Sequence, residues 1–408
     1  MKILENGKKI YWPFVFFLIM YYQVDGTISF ILSFGYVCYF LIIKQHGKIL
    51  KLGIMIPILL MLIQGILLGV TNLGNDYFRD IYYFFQPIIY IFGGYYIEEN
   101  KGQKYDLEAS IVIASFLLGC VFLIGVAHNP AVLFQSDNIR EIRNEVGKET
   151  FIALVGVTLL TIRNIKFNRK YKVILSAVLI SVFVLQFSRA SIGTIAIFYI
   201  CYFILDNKKT NIKSLKRIGL LIATIIIIIT VMPDSLLSDF VQRILRSSTE
   251  ISSNVSGTWT ANEAYANWRG YEIYLVTEAF LNGTIIQKLF GYGFGNRVAL
   301  GRGIVLNSTF TSIPVFHNGY IQVLNKVGLC GIFLLISFYI LIVRFCLRIG
   351  RIGDTDNKEF SRYVCALFIG VWFYSYFKGG IFRGTSIIEI MIFIGFLIYR
   401  VKNRGFRL

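Results

Sequence analysis

The 408-residue sequence predicts an all-α integral membrane protein, with about twelve transmembrane helices and one large extracytoplasmic loop carrying short helices. Three observations predict this class. The chain is 56% hydrophobic, with a mean hydropathy of +0.64. Its apolar residues lie in continuous runs such as LGIMIPILLMLIQGILLGV and RIGLLIATIIIIITVM, which one soluble core cannot hide. Its charge is also segregated. Most of the 41 Lys and Arg fall in the short segments between alternate runs, whereas most of the 23 Asp and Glu fall on the other side.

About 20 apolar residues at 1.5 Å rise cross a bilayer core. Backbone groups find no water there, so a spanning run is helical or part of a closed barrel. These runs do not alternate, and that selects helix. Spans are predicted at 10–24, 27–43, 52–71, 81–97, 108–127, 150–163, 173–188, 190–205, 217–232, 319–343, 363–377 and 385–400. The loops KQHGKILK, RNIKFNRKYK, DNKKTNIKSLKR and RFCLRIGR and the tail RVKNRGFRL are basic. By the positive-inside rule they are cytoplasmic, as are both termini. The net charge of +18 then sits on the inner face and the outer face balances near zero. That distribution belongs to a membrane surface and excludes a nucleic-acid-binding reading. Lys8 and Lys9 precede the first run without a small-residue cleavage site, so that run reads as an uncleaved anchor.

The chain divides into helices one to nine at 1–232, the large loop at 233–318, and helices ten to twelve with the tail at 319–408. The loop opens with a polar stretch, SSTEISSNVSGTWTAN. A helix is predicted over 263–281, with Trp268, Tyr271, Leu275 and Ala279 on one face. That face lies either on the membrane surface or on the bundle. Cys38, Cys120, Cys201, Cys330, Cys346 and Cys365 all lie in apolar spans or at a cytoplasmic span end. With no CxxC and no His/Cys cluster, neither a disulfide framework nor a metal site is predicted. No internal repeat is evident, which weakens a transporter built on inverted repeats.

Three stretches carry chemistry. In FSRASIG (187–193), Arg189 stands between two spans. A charge near hydrocarbon is either a functional group or an arginine snorkelling to the interface. In NWRGYEIYLVTEAFLNGTIIQKLFGYGFGN (267–296), Arg269 opens the predicted helix, and three glycines form either a simple loop or a backbone nest for anionic oxygens. In FHNGYIQVLNKVGLCGIF (316–333), His317 stands at the outer mouth of a span. It is either a cap of that span or a base, since imidazole accepts protons near neutral pH. Two guanidiniums suit a diphosphate, because each grips oxygens bidentately and keeps its charge.

The SR-x-x-x-G step, the arginine-headed helix running into LFGYGFGN, and HNGYIQVLNKVGLCG resemble the O-antigen ligase and O-antigen polymerase superfamily. The resemblance extends to length, topology and order of parts. It implies a bacterial cytoplasmic-membrane enzyme whose site faces the periplasm or the outside. Such an enzyme transfers a glycan from undecaprenyl diphosphate to an acceptor hydroxyl, with no cofactor and no metal. By that resemblance, Arg189 and Arg269 hold the diphosphate and His317 activates the acceptor. Arg143, in RNEVGKETFIAL, and Arg297 are further candidate substrate contacts. The implied partners are the undecaprenyl-diphosphate-linked oligosaccharide, the lipid bilayer, and the chain-length regulator and flippase of such a pathway. A repeat-unit polymerase is the expected activity. The alternatives are a ligase onto lipid A–core and, in another class, a transporter or flippase of lipid-linked glycan. One departure stands out: an acidic residue often precedes the glycine after the histidine motif, and here the stretch reads Lys326-Val327-Gly328.

Overall fold

The computed structural model describes residues 3–5, 7–24, 26–42, 53–102, 104–128, 151–163, 165–186, 188–206, 219, 238, 259–301, 304, 311–383 and 387–403. Nearly all of them are helical. In order come α1 (Trp12–Gln23), α2 (Gly26–Ile42), α3 (Ile56–Leu68), α4 (Asn75–Asn100), α5 (Leu107–His128), α6 (Phe151–Ile162), α7 (Arg169–Leu185) and α8 (Arg189–Leu205). Then follow α9 (Ala261–Ala266), α10 (Trp268–Asn282), α11 (Ile285–Phe290), α12 (Gly319–Ile352), α13 (Thr355–Phe377) and α14 (Ile388–Asn403). The predicted span at 217–232 lies outside the described residues.

Two helices, α5 and α12, are each long and apolar enough to cross a membrane, and shorter apolar helices lie within α2, α3, α6 and α8. The centre of the bundle is α6 and α14. Every residue of α6 is buried, as is α14 from Ile388 to Ile398. A helix that is apolar all round belongs in such a place. α14 lies along α4, and the two backbones meet at Gly94 and Gly395. A Cβ on Gly94 would stand 2.3 Å from the Ile392 carbonyl oxygen, and one on Gly395 2.2 Å from that of Ile91, so only glycine permits the crossing. Around this centre the outward faces of α1, α2, α3, α7, α8 and α12 also carry large apolar side chains, among them Phe16, Ile31, Ile63, Val173, Ile200 and Phe333, all exposed. Exposed apolar faces on so many helices suit an apolar surrounding or partner.

One end of the bundle is closed by charge. The Arg163 guanidinium is bidentate on Glu108 (2.7 and 3.1 Å) and donates to Asp356 at 2.6 Å. Arg400 donates to Glu98 at 2.9 Å. Both guanidiniums lie against the Phe360 ring, at 5.5 and 4.5 Å from its centre. The N-terminal segment straps across this end. Strand β1 (Lys9–Ile10) pairs in parallel with β2 (Tyr105–Asp106), and Leu4 bridges to Phe167.

The helix predicted over 263–281 is in fact two. Asn267 leaves helical geometry (φ −126°, ψ 61°), and its side chain caps the start of α10 by accepting from the Gly270 N–H. Tyr271, Leu275 and Val276 of α10 form a second small core with Val298, Ile304, Ile313 and Phe316. The ladder of β3 (Val298–Ala299) with β4 (Ser312–Ile313) closes it. This face packs on its own loop and on α12 through Ile321 and Leu324.

Candidate active site

The site is built on a break in α12. Gly328 has φ 68° and ψ −163°, so α12 is two helices joined at a kink, and the break frees the carbonyls just before it. The segment GYGFGN (291–296) threads between α3, α4 and α12 and satisfies them. The Tyr292 and Gly293 N–H groups donate to the Asn325 and Lys326 carbonyls at 2.9 and 3.0 Å. The Gln64 amide of α3 donates to the Val327 and Phe290 carbonyls at 2.8 and 2.9 Å. Phe294 is fully buried; its N–H reaches the Gly65 carbonyl, and its ring meets Phe84 with centres 4.7 Å apart. Gly291 and Gly328 pack backbone to backbone, both at positive φ; a Cβ on either would lie 2.5 Å from a nitrogen of the other strand.

This overturns the anion-nest reading of the three glycines. The N–H groups of Gly291 to Gly295 all have protein acceptors: the Gln287, Asn325, Lys326 and Gly65 carbonyls, then the Asp80 carboxylate. None is left for a ligand. The segment is a wedge that fixes the first part of α12 to α3 and α4.

Lys326 completes the wedge. Its ammonium reaches the Asp80 carboxylate at 2.7 Å and the Asn296 carbonyl, and both charged side chains are wholly buried. The pair ties α12 to α4. Arg297 has a similar fixing role. Its guanidinium donates to Asp76 (2.8 Å), the Ser312 hydroxyl (2.9 Å) and the Ser312 carbonyl (3.2 Å), tying the β-ladder to α4.

On this frame His317 precedes α12. Asn318 caps the helix, accepting from the Tyr320 and Ile321 N–H groups at 2.9 and 3.3 Å. The cap of the span is therefore Asn318, which leaves the imidazole for other work. Its Nδ1 lies 2.8 Å from Oε1 of Glu272, and the His317 backbone N–H donates to Oε2 at 2.8 Å. Trp268 Nε1 donates to the same carboxylate at 2.7 Å. Glu272 is buried, whereas the His317 side chain is 38% exposed. A carboxylate only accepts, so Nδ1 carries a proton, and Nε2 is the ring nitrogen turned away from Glu272. Two buried amides lie on the following turns of α12. Gln322 accepts from the Phe316 N–H and Asn325 accepts from Asn296, while Gln322 Nε2 and Asn325 Nδ2 have no acceptor among the described residues.

The arginines belong to the same end of the bundle. Arg269 stands one turn before Glu272 on α10 and is half-buried. Arg189 opens α8, capped by Ser188, and is also half-buried. α8 packs along α13, with Gly193 against Phe373, so Arg189 lies level with the last turn of α13. Gly319 packs against the Ser375 and Gly379 carbonyls of that same turn. An apolar groove runs down between α8, α12 and α13, lined by Ile197, Tyr320, Ile369, Trp372, Phe373 and Tyr376. Arg143 lies outside the described residues.

Sequence reasoning did not single out Glu272, Asp80 or Gln64. Glu272 had one local signal, its place one turn after Arg269. Asp80 had none, because its partner is remote in sequence. No protein-family model matches the chain, and no curated protein matches it either.

Proposed function

We propose that the chain is a twelve-span integral membrane glycosyltransferase with cytoplasmic termini. It polymerises O-antigen or exopolysaccharide repeat units from a polyprenyl-diphosphate donor at the outer face of the bacterial cytoplasmic membrane. The observation that carries the reading is the His317–Glu272 pair: an imidazole oriented by a buried carboxylate, with Nε2 unpartnered among the described residues, at the bundle end where Arg189 and Arg269 lie. The apolar outward faces of the peripheral helices support the membrane setting.

The chemistry follows from the charges. The acceptor hydroxyl gives its proton to Nε2 as its oxygen attacks the anomeric carbon. The bond from that carbon to the diphosphate oxygen breaks, and the electron pair leaves with the diphosphate. The leaving group is already a stable anion and needs no general acid. Arg189 and Arg269 balance its charge with planar, permanently charged forks. Glu272 holds the imidazole in register and stabilises the imidazolium that forms. The apolar groove beside Tyr320 and Trp372 suits a polyprenyl chain.

A transporter reading is disfavoured by the deepest cation, since Lys326 is locked on Asp80. The glycan ladder of a strain lacking this chain tests the proposal. Single repeat units are the expected result. Free core with retained lipid-linked polymer makes the enzyme a ligase, and an unchanged ladder contradicts both.

A further inference from the structure

We propose that residues 281–290 form a re-entrant lip seated in the outer leaflet, with lipid acyl chains as its partner. The inference rests on the membrane-spanning reading of α12 and goes beyond it, because the sequence reading put this segment in the extracytoplasmic loop.

The first observation is level. Gly291, which ends α11, packs on Gly328, well inside α12. At 1.5 Å per residue that contact lies about 14 Å along the helix from its start at Gly319. Phe290 shares the Gln64 amide with Val327, so α11 also reaches below the end of α3. The segment is therefore sunk beside two apolar helices and does not stand above them.

The second observation is surface. Ile285 and Ile286 are 76% and 65% exposed, and Leu281, Leu289 and Phe290 are exposed as well. They do not make an isolated patch. Ile63 and Leu67 flank Gln64 on α3, Leu329 and Phe333 follow Gly328 on α12, and all four are exposed. α11 thus continues the apolar belt of its two neighbours. An aqueous loop has no reason to present such a row, whereas acyl chains match it along its whole length.

The third observation is capping at both ends of α11, which lowers the cost of its end groups beside lipid. The start of α11 carries a complete capping box. The Gln287 N–H donates to the Thr284 hydroxyl (3.2 Å), and the Thr284 N–H donates to the Gln287 side chain (2.9 Å). At the other end, the Gln287 carbonyl accepts from the Gly291 N–H and the Phe290 carbonyl from Gln64. The single charge, Lys288, is half-buried and has the length to reach the interface with its ammonium.

The test is lipid photocrosslinking in the full chain, reconstituted in phosphatidylcholine vesicles. p-Benzoylphenylalanine replaces Ile286, Phe333 on α12 or Asn262 on α9, and phospholipid adducts are read by mass. All three positions are exposed, so the bulky residue fits. Adduct at 286 within a few-fold of that at 333, and none at 262, is the expected pattern. Adduct at 333 with none at 286 overturns the lip while leaving the membrane reading intact. No adduct at either position overturns both.

Discussion

His317 was visible in the sequence because histidine is rare in this chain and HNGY sits at the mouth of an apolar run. Its partner was not. Glu272 lies 45 residues earlier and reads as one more acid in a mixed-charge loop. Only the packing of α10 on α12 brings the two together. The pair makes a specific prediction. Glu272→Gln keeps one oxygen, enough for the His317 backbone N–H or for Trp268 but not for both, and removes the charge that supports an imidazolium. Transfer per folded molecule should fall by roughly 10²-fold or more while donor binding is kept, since the arginines are untouched. A rate within a few-fold of the parent, measured in single turnover, would remove Glu272 from the mechanism. Arg297 teaches the converse. It was legible as a cation near the motif, but Asp76 and Ser312 occupy its guanidinium, and Asp76 lies 221 residues away.

At the scale of the element, hydropathy located the helices but not their ends. The run at 81–97 is the apolar part of α4, which in fact starts at Asn75. Arg79 and Asp80 made that turn look like loop, yet Asp76 and Lys326 hold both charges within the fold. α12 likewise runs on to Ile352, past the predicted boundary, because its polar last turns cost nothing outside hydrocarbon. The glycine segment was legible as a turn and misleading as a nest, since which N–H groups are spent depends on the helix it threads beside. The wedge predicts a double-mutant pattern. Lys326→Met leaves buried Asp80 with only the distant Arg79 contact at 3.9 Å and should cost about 3–5 kcal/mol. Adding Asp80→Leu should recover most of that loss. Thermal unfolding of the parent and the two variants in detergent reads this directly, and a double variant no better than Lys326→Met would show that the pair is not what the wedge needs.

At the scale of the whole molecule, the apolar surface faces outward and the charges are gathered at the ends. The basic end is a fastening. Arg163 joins α5, α6 and α13 through Glu108 and Asp356, and Arg400 joins α14 to α4. Arg163→Ala should therefore destabilise by roughly 2–4 kcal/mol, leaving buried Glu108 with only the longer Arg400 contact at 3.5 Å. Activity per folded molecule should be unchanged, because the site is at the other end. A selective loss of rate with normal stability would mean that this end takes part in the reaction. The overall charge asymmetry was fully legible from sequence, whereas the closure of the end was not, because it depends on residues from five separate segments.

The central claim is that His317 deprotonates an acceptor hydroxyl while the diphosphate leaves. The measurement that reaches it most directly is single-turnover transfer by the purified chain on a polyprenyl-diphosphate-linked repeat unit. Released polyprenyl diphosphate is counted against glycosidic bonds formed, for the parent and for His317→Ala. One diphosphate released per bond is predicted for the parent. His317→Ala should bind donor as tightly and react roughly 10²–10⁴-fold more slowly. Release without bond formation, or an alanine variant within a few-fold of the parent rate, would contradict the account.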